Sequence, residues 1–251
     1  KLQSPDVMLD TIGEVIARDI GMTANILKLV NSAFFGLPRR MADATEAAKY
    51  LGLDTIKTLV LSIHAFSQFE NSELGGLCLR GVWDHSLRTA AVAKAISQSV
   101  GADRKLVDEA FVAGLLHDIG KIVLAANQSK TYPAALNMAQ TQRIPLVEAE
   151  RLVFCVDHAD VGGYLLGLWG LPIPVVEAIA LHHAPSRAVE QPFNPLTAVH
   201  LANAIASEAL FASSGLIPSK VDEHYLERLG LTESFQRWRH DLRLEGGEIA
   251  R

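Results

Sequence analysis

Apolar residues along this chain recur at three- and four-residue intervals, and nowhere do they alternate with polar ones over a convincing length. That period buries one face of a helix and cannot keep one face of a strand dry. Val7, Leu9, Ile12, Val15 and Ile16 follow a helix start at Ser4-Pro5-Asp6, with Gly21 as its stop. A second helix is expected over 23–35, ended by Gly36-Leu37-Pro38. Asp43 with Glu46 makes a capping-box-like start for 44–51, Gly52 ends it, and Asp54 caps a long apolar helix over 55–69. The apolar 49% of the 251 residues is carried by Ala, Leu, Val and Ile, with only 6% aromatic. The expectation is an all-α protein with a sizeable core.

Asn71 to Gly76, polar with paired glycines, is the best internal boundary. The spacing predicts a smaller N-terminal helical lobe (1–72), a helical lobe over 73–210 and a C-terminal helical tail over 211–251, with the break as an internal hinge. In the larger lobe helices are expected over 82–100, 104–117, 130–140, 146–153, 159–168, 175–182 and 196–209. The tail has one or two amphipathic helices and a frayed end from 245 onward. No repeat or low-complexity tract stands out.

Lys and Arg number 23 against 28 Asp and Glu, a formal charge of −5, so no global field attracts a polyanion. Arg39-Arg40 and the Arg237, Arg239, Arg243 series read as solvated faces, and nucleic acid is not an expected partner. No apolar run reaches the roughly 18 residues of a membrane span, since Ser62 and His64 interrupt 59–66 and Gly, His and Asp punctuate 111–124. No signal peptide is present, and Cys78 and Cys155 read as buried free thiols, which fits a reducing cytoplasm. The chain begins at Lys1 rather than Met, so a processed product or a piece of something longer is expected.

Histidine distribution carries the chemistry. His85, His117, His158 and His182 sit on separate predicted helices, and His117 is followed by Asp118. Imidazoles and one carboxylate pointing inward from several helices make a site for a divalent transition metal. A bridging Asp118 between two ions would suit phosphoester hydrolysis. His158 follows Asp157 at a helix start, so capping competes there with ligation. His183 and His200 read as satisfied core or surface groups, His64 as a hydrogen-bonded core histidine, and His224 and His240 as solvated. Asn31-Ser32 reads as a helix end whose side chains satisfy backbone groups.

Leu115-Leu116-His117-Asp118-Ile119-Gly120-Lys121 resembles the signature of the HD superfamily of metal-dependent phosphohydrolases, with His85 in Trp83-Asp84-His85-Ser86 resembling its first histidine. The stretch from Asn25 to Gly36, followed by Ala47-Ala48-Lys49-Tyr50-Leu51-Gly52, resembles the HD-related output domain family, abbreviated HDOD. The resemblance covers roughly residues 5 to 210. It implies an all-α fold and a bacterial signalling role, with a signalling protein or fused regulatory domain as partner. It also implies metal ligands His85, His117, Asp118, His158 and His182, with His183 as a further candidate, and Lys121 facing phosphate beside a catalytic Asp118.

Two departures weaken the enzymatic side. The late aspartate of active relatives is Asn203 here, a neutral and weaker ligand. Related cyclic-dinucleotide phosphodiesterases place a glutamate where this chain has Gly81, and their Gly-Tyr-Pro segment is replaced by Ala184-Pro185-Ser186-Arg187 after His182-His183. The expectation is a signalling output module with a metal-binding or degenerate site. It would hold one ion of Fe, Mn, Ni or Zn in preference to two. The alternative is a metal-dependent phosphohydrolase acting on a nucleotide or other phosphoester.

Overall fold

The computed structural model describes residues 11, 13–14, 16–31, 39–70, 72–189, 192–214 and 216–245. Among them every regular element is helical and no strand occurs, as the apolar spacing requires. The chain divides into two compact units, residues 1–70 and 71–251.

In the first unit α1 (Ile20–Val30), α2 (Ala44–Leu51) and α3 (Leu53–Gln68) pack on one another. α1 runs through Gly21, the expected stop, because Asp19 caps it by accepting the Met22 N–H at 2.9 Å. A side-chain cap contributes about 1 kcal/mol, comparable to what a glycine costs in a first turn. α1 ends at Val30, short of the expected residue 35; the Ser4-Pro5 start and the Gly36-Leu37-Pro38 stop lie outside the described residues. α2 begins as expected: Asp43 accepts the Glu46 N–H at 2.7 Å, while Glu46 accepts the Ala42 N–H at 3.1 Å. Gly52, at φ 86°, separates α2 from α3 in a conformation that favours glycine. It also takes the N-cap position of α3, so residue 54 lies inside the first turn and is not the cap. α3 buries Ile56, Leu59, Ile63 and Phe66. His64 falls on the outward stripe with Lys57 and Gln68, so it is exposed and not the core histidine its apolar neighbours implied.

Asn31 closes α1 as the sequence suggests. Its Nδ2 donates to the Met41 carbonyl at 2.9 Å, and its Oδ1 accepts the Met41 N–H at 2.6 Å. Met41 is buried, so Asn31→Ala strands two backbone groups. We expect a loss of about 1.5–3 kcal/mol in urea unfolding, with Asn31→Asp, which keeps only the acceptor, falling between.

The second unit comprises α4 (Leu79–Ser99), α5 (Arg104–Leu116), α6 (Ile119–Asn127), α7 (Tyr132–Gln142), α8 (Leu146–Phe154), α9 (His158–Leu168) and α10 (Ile173–Leu181), then a 3₁₀ turn (Pro185–Arg187), α11 (Pro195–Ser214), α12 (Glu223–Leu229) and α13 (Thr232–Glu245). α4, α5 and α11 pack together, α10 lies against α5 and α11, and α9 against α6 and α10. Residues 195–207 of α11 are buried without interruption, which makes it the central helix of this unit. α12 and α13 form from the expected amphipathic tail, and the stretch beyond residue 245 lies outside the described residues.

α6 is not among the helices the spacing predicts. Gly120 reads as a stop, but its function is contact: a Cβ there would sit 1.9 Å from the His158 carbonyl oxygen and 2.9 Å from the Gly162 nitrogen. Cys78 and Cys155 are exposed, not buried. Both stand at helix boundaries: Cys78 caps α4, and Cys155 ends α8 at φ 59°.

Candidate metal centre

Helix ends bring the candidate residues of the second unit together. His117 and Asp118 form the joint between α5 and α6, and His182 ends α10. His158 opens α9, His85 lies on the buried face of α4, and Asn203 lies on α11. Capping of α9 belongs to Asp157, whose Oδ1 accepts the Ala159 and Asp160 N–H groups at 2.8 and 3.0 Å. His158 is thereby left to face inward.

One device orients two of the imidazoles. His117 Nδ1 donates to the Gly114 carbonyl at 2.8 Å, and His182 Nδ1 donates to the Ile179 carbonyl at 2.7 Å, each three residues back along its own helix. Each Nε2 then carries a lone pair, the form a metal ligand needs. Both point at Asp118: its Oδ1 lies 3.3 Å from His117 Nε2, 3.4 Å from His158 Nε2 and 4.0 Å from His182 Nε2. Asp118 Oδ2 accepts from Lys121 Nζ at 2.6 Å and lies 3.7 Å from His85 Nε2. His85 Nε2 is also 3.0 Å from Asn203 Oδ1, while Asn203 Nδ2 donates to Ser219 Oγ at 3.2 Å.

His117 Nε2, His182 Nε2 and Asp118 Oδ1 are buried and make no hydrogen bond. Lone pairs facing a carboxylate oxygen repel one another unless a cation lies among them. Donor atoms on one tetrahedral ion with bonds of about 2.1 Å stand roughly 3.4 Å apart, close to the spacings around Asp118 Oδ1. The residues therefore fit a divalent metal. Among the described residues two separate triads each have ligand atoms within 4.8 Å of one another, His85 with His117 and Asp118, and His158 with His182 and His183.

Burial pushes the His85 imidazole down to about 3, and it lowers His117 and His182 as well. Neutral imidazoles are the ligating form. Burial works against ionisation of Asp118, but the Lys121 ammonium at 2.6 Å holds the carboxyl well below its usual range. A small cleft of about 60 Å³ reaches the cluster, lined by His85, Lys121, His158, His183 and Ser219 among others.

His183 joins the cluster, its Nε2 3.0 Å from that of His158. His200 stays apart as a satisfied core histidine: Nδ1 donates to the His182 carbonyl at 2.7 Å and Nε2 accepts the Asp222 N–H at 2.9 Å. His224 and His240 are exposed. Sequence reasoning missed Glu150, whose carboxylate accepts from His158 Nδ1 at 2.5 Å. The signal was present, because Glu150 interrupts an apolar stripe running through Leu146, Val147 and Ala149.

An all-helical domain built around a buried histidine–aspartate cluster is the class this fold and site define. The chain belongs to the HDOD domain family, whose model matches residues 1–185. An uncharacterized protein of Treponema pallidum (strain Nichols) is 30% identical over 195 residues, covering 78% of this chain and 37% of that protein. The chain thus spans little more than a third of that relative. An HDOD domain protein of unknown function from Geobacter sulfurreducens has a similar structure, with a TM-score of 0.68, 23% identity, and coverage of 99% of this chain and 89% of that one. The response regulator MmoQ from Methylococcus capsulatus strain Bath matches at a TM-score of 0.50 with 26% identity, covering 95% and 92% of the two chains. None of the described helices is long and apolar enough to cross a membrane.

Proposed function

We propose that the chain is a signal-transduction output module whose histidine–aspartate cluster holds a single divalent transition-metal ion, with little or no hydrolytic activity. The observation that carries this reading is the division of the Asp118 carboxylate. Oδ2 is engaged by Lys121 at 2.6 Å, which leaves Oδ1 alone to face His117, His158 and His182. A carboxylate so occupied has one oxygen free of hydrogen bonds, which favours one ion over two, and Lys121 acts as an internal counter-charge rather than a free phosphate contact. Asn203 adds no negative charge beside His85. The cleft of about 60 Å³ falls far short of the several hundred Å³ that a nucleotide-sized ligand fills.

His117, Asp118, His158 and His182 would hold the ion, with His85 and Asn203 bordering it and His183 next to His158. Three imidazoles and one carboxylate suit Fe, Mn, Ni or Zn. When bound, the ion would supply Lewis-acid polarisation of an oxygen ligand. A signalling protein or a fused regulatory domain is the expected partner. The likeness to a response regulator supports this reading, as does the extra length of the Treponema relative.

The competing reading is a metal-dependent phosphohydrolase, favoured by the His117-Asp118 pair with its unbonded inward atoms and by a cleft lined by the neighbouring His85, Lys121 and His158. Elemental analysis, followed by assay of a generic phosphodiester and a nucleotide panel with manganese, iron or nickel, separates the two. We expect about one ion per chain, its uptake abolished in Asp118→Ala, and no turnover above background. Turnover that disappears in folded Asp118→Ala would instead establish the enzyme.

A further inference from the structure

Glu150 is a fully buried carboxylate whose donors are all formally uncharged or shared with the candidate centre. Oε1 accepts from the Tyr132 hydroxyl at 2.8 Å; Oε2 accepts the His158 backbone N–H at 3.0 Å and His158 Nδ1 at 2.5 Å. Neighbouring acids are served otherwise: Arg151 pairs with Asp157, and Lys121 with Asp118. An ionised carboxylate without a cation is among the costliest groups to bury. Its charge reaches one outlet, through the His158 ring to Nε2, which faces Asp118 Oδ1 at 3.4 Å.

The same geometry seen from the ion's side has a matching need. Lys121 already neutralises Asp118, and burial keeps His85, His117 and His182 neutral. A divalent ion there would bring two positive charges into a buried space with no anion left to balance them. Glu150 is that anion, one imidazole away. His117 and His182 rest on backbone carbonyls, whereas His158 alone among these three donates to a carboxylate, which makes its Nε2 the most electron-rich of the set. Tyr132 holds the carboxylate from behind. It is fully buried at the first position of α7, its ring stacked on Phe154 at 6.0 Å between centroids, and its hydroxyl stays protonated because burial and Glu150 push its pKa upward.

We propose that Glu150, pinned by Tyr132, is a positioning residue for the metal centre: it fixes His158 with Nδ1 protonated and supplies the buried negative charge that an ion bound at Nε2 requires. The inference rests on the metal-site reading above.

Competition titration of Zn²⁺ against a chromophoric chelator tests it on the wild type, Glu150→Gln, Tyr132→Phe and His158→Ala. Unfolding curves of the metal-free proteins and ¹⁵N spectra of the His158 ring accompany the titrations. Glu150→Gln should bind Zn²⁺ about 10- to 100-fold more weakly. Tyr132→Phe, which keeps the stacked ring, should lose about 3- to 10-fold. The ring spectrum should lose its strongly hydrogen-bonded Nδ1–H in Glu150→Gln, a change that a purely packing role would not produce. If Glu150→Gln binds Zn²⁺ like the wild type while His158→Ala is weakened, the metal centre stands and the role of Glu150 is refuted. If Glu150→Gln does not fold, an unchanged affinity in Tyr132→Phe refutes it. Absence of Zn²⁺ uptake by the wild type overturns the site reading, and this inference with it.

Discussion

Gly120→Ala should destabilise the protein by about 3 kcal/mol or more, although it adds a single methyl group. The added Cβ would lie 1.9 Å from the His158 carbonyl oxygen, 2.8 Å from its carbonyl carbon and 2.9 Å from the Gly162 nitrogen. All three are backbone atoms of α9, so no rotamer change relieves the clash, and α6 and α9 must separate. That separation carries Asp118 and Lys121 away from His158, so metal uptake should fall together with stability. Gly167→Ala on α9 is the control, since its nearest neighbour is Val176 Cγ1 at 3.7 Å and the site lies inside the helix. There the substitution should be neutral or stabilising by up to about 1 kcal/mol. Denaturant unfolding of both variants measures the contrast, and a Gly120→Ala protein as stable as the wild type would show that the helices are not in this contact.

The metal-free protein should lose stability steeply as pH falls below about 6.5. His85, His117, His182 and His200 are buried, and burial lowers each from the ordinary histidine value of 6.5, His85 to about 3. Below that value the unfolded chain takes up protons that the folded chain refuses, so protonation pulls the equilibrium toward unfolding. Above it neither state is charged, and the loss vanishes. Each such proton is worth about 1.4 kcal/mol per pH unit. A slope above that of two protons, roughly 2.7 kcal/mol per unit, is expected between pH 6 and 4.5. Asp118 extends the trend: held below its usual 3.8, it stabilises the fold above that pH and loses the contribution as pH falls further. Saturating Zn²⁺ should move the acid transition to lower pH, because the ion and the proton compete for the same Nε2 atoms. Urea midpoints from pH 7.5 to 4.5, with and without the ion, give both slopes, and a flat metal-free profile would contradict the buried neutral imidazoles.

Local chemistry was readable from the chain wherever it acts within a few residues. The Asp43–Glu46 cap, the Asn31 helix end and most helices of the second unit follow from spacing and capping residues. Errors arose where a residue type has two uses. Gly21 reads as a stop because a glycine after an apolar stripe usually ends a helix, yet the neighbouring Asp19 caps a new one. Gly120 hid α6 for a similar reason, since a glycine required for close approach looks like one required for a turn. The apolar surroundings of Cys78, Cys155 and His64 imply burial, but exposure depends on the angle around a helix or on its end.

The candidate site divides the same way. His85, His117, Asp118, His158 and His182 stood out as groups on different helices, and the family motif tied them together. Lys121 was legible as a cation near Asp118, three residues away along α6, but its hold on one carboxylate oxygen was not. Glu150 shows in the sequence only as an acid interrupting the stripe of Leu146, Val147 and Ala149, and its pairing with His158 is decided by packing.

By itself, then, the sequence determined an all-helical chain of the HDOD family and the residues able to form its histidine–aspartate cluster, because helical period, caps and motif order are properties of neighbours along the chain. Only the tertiary structure decided that Asp118 divides its oxygens between Lys121 and three imidazoles, and that Glu150 stands behind His158. Those arrangements depend on where α6, α8, α9 and α10 meet, and backbone approaches as close as Gly120 to His158 are set by packing between residues far apart in sequence.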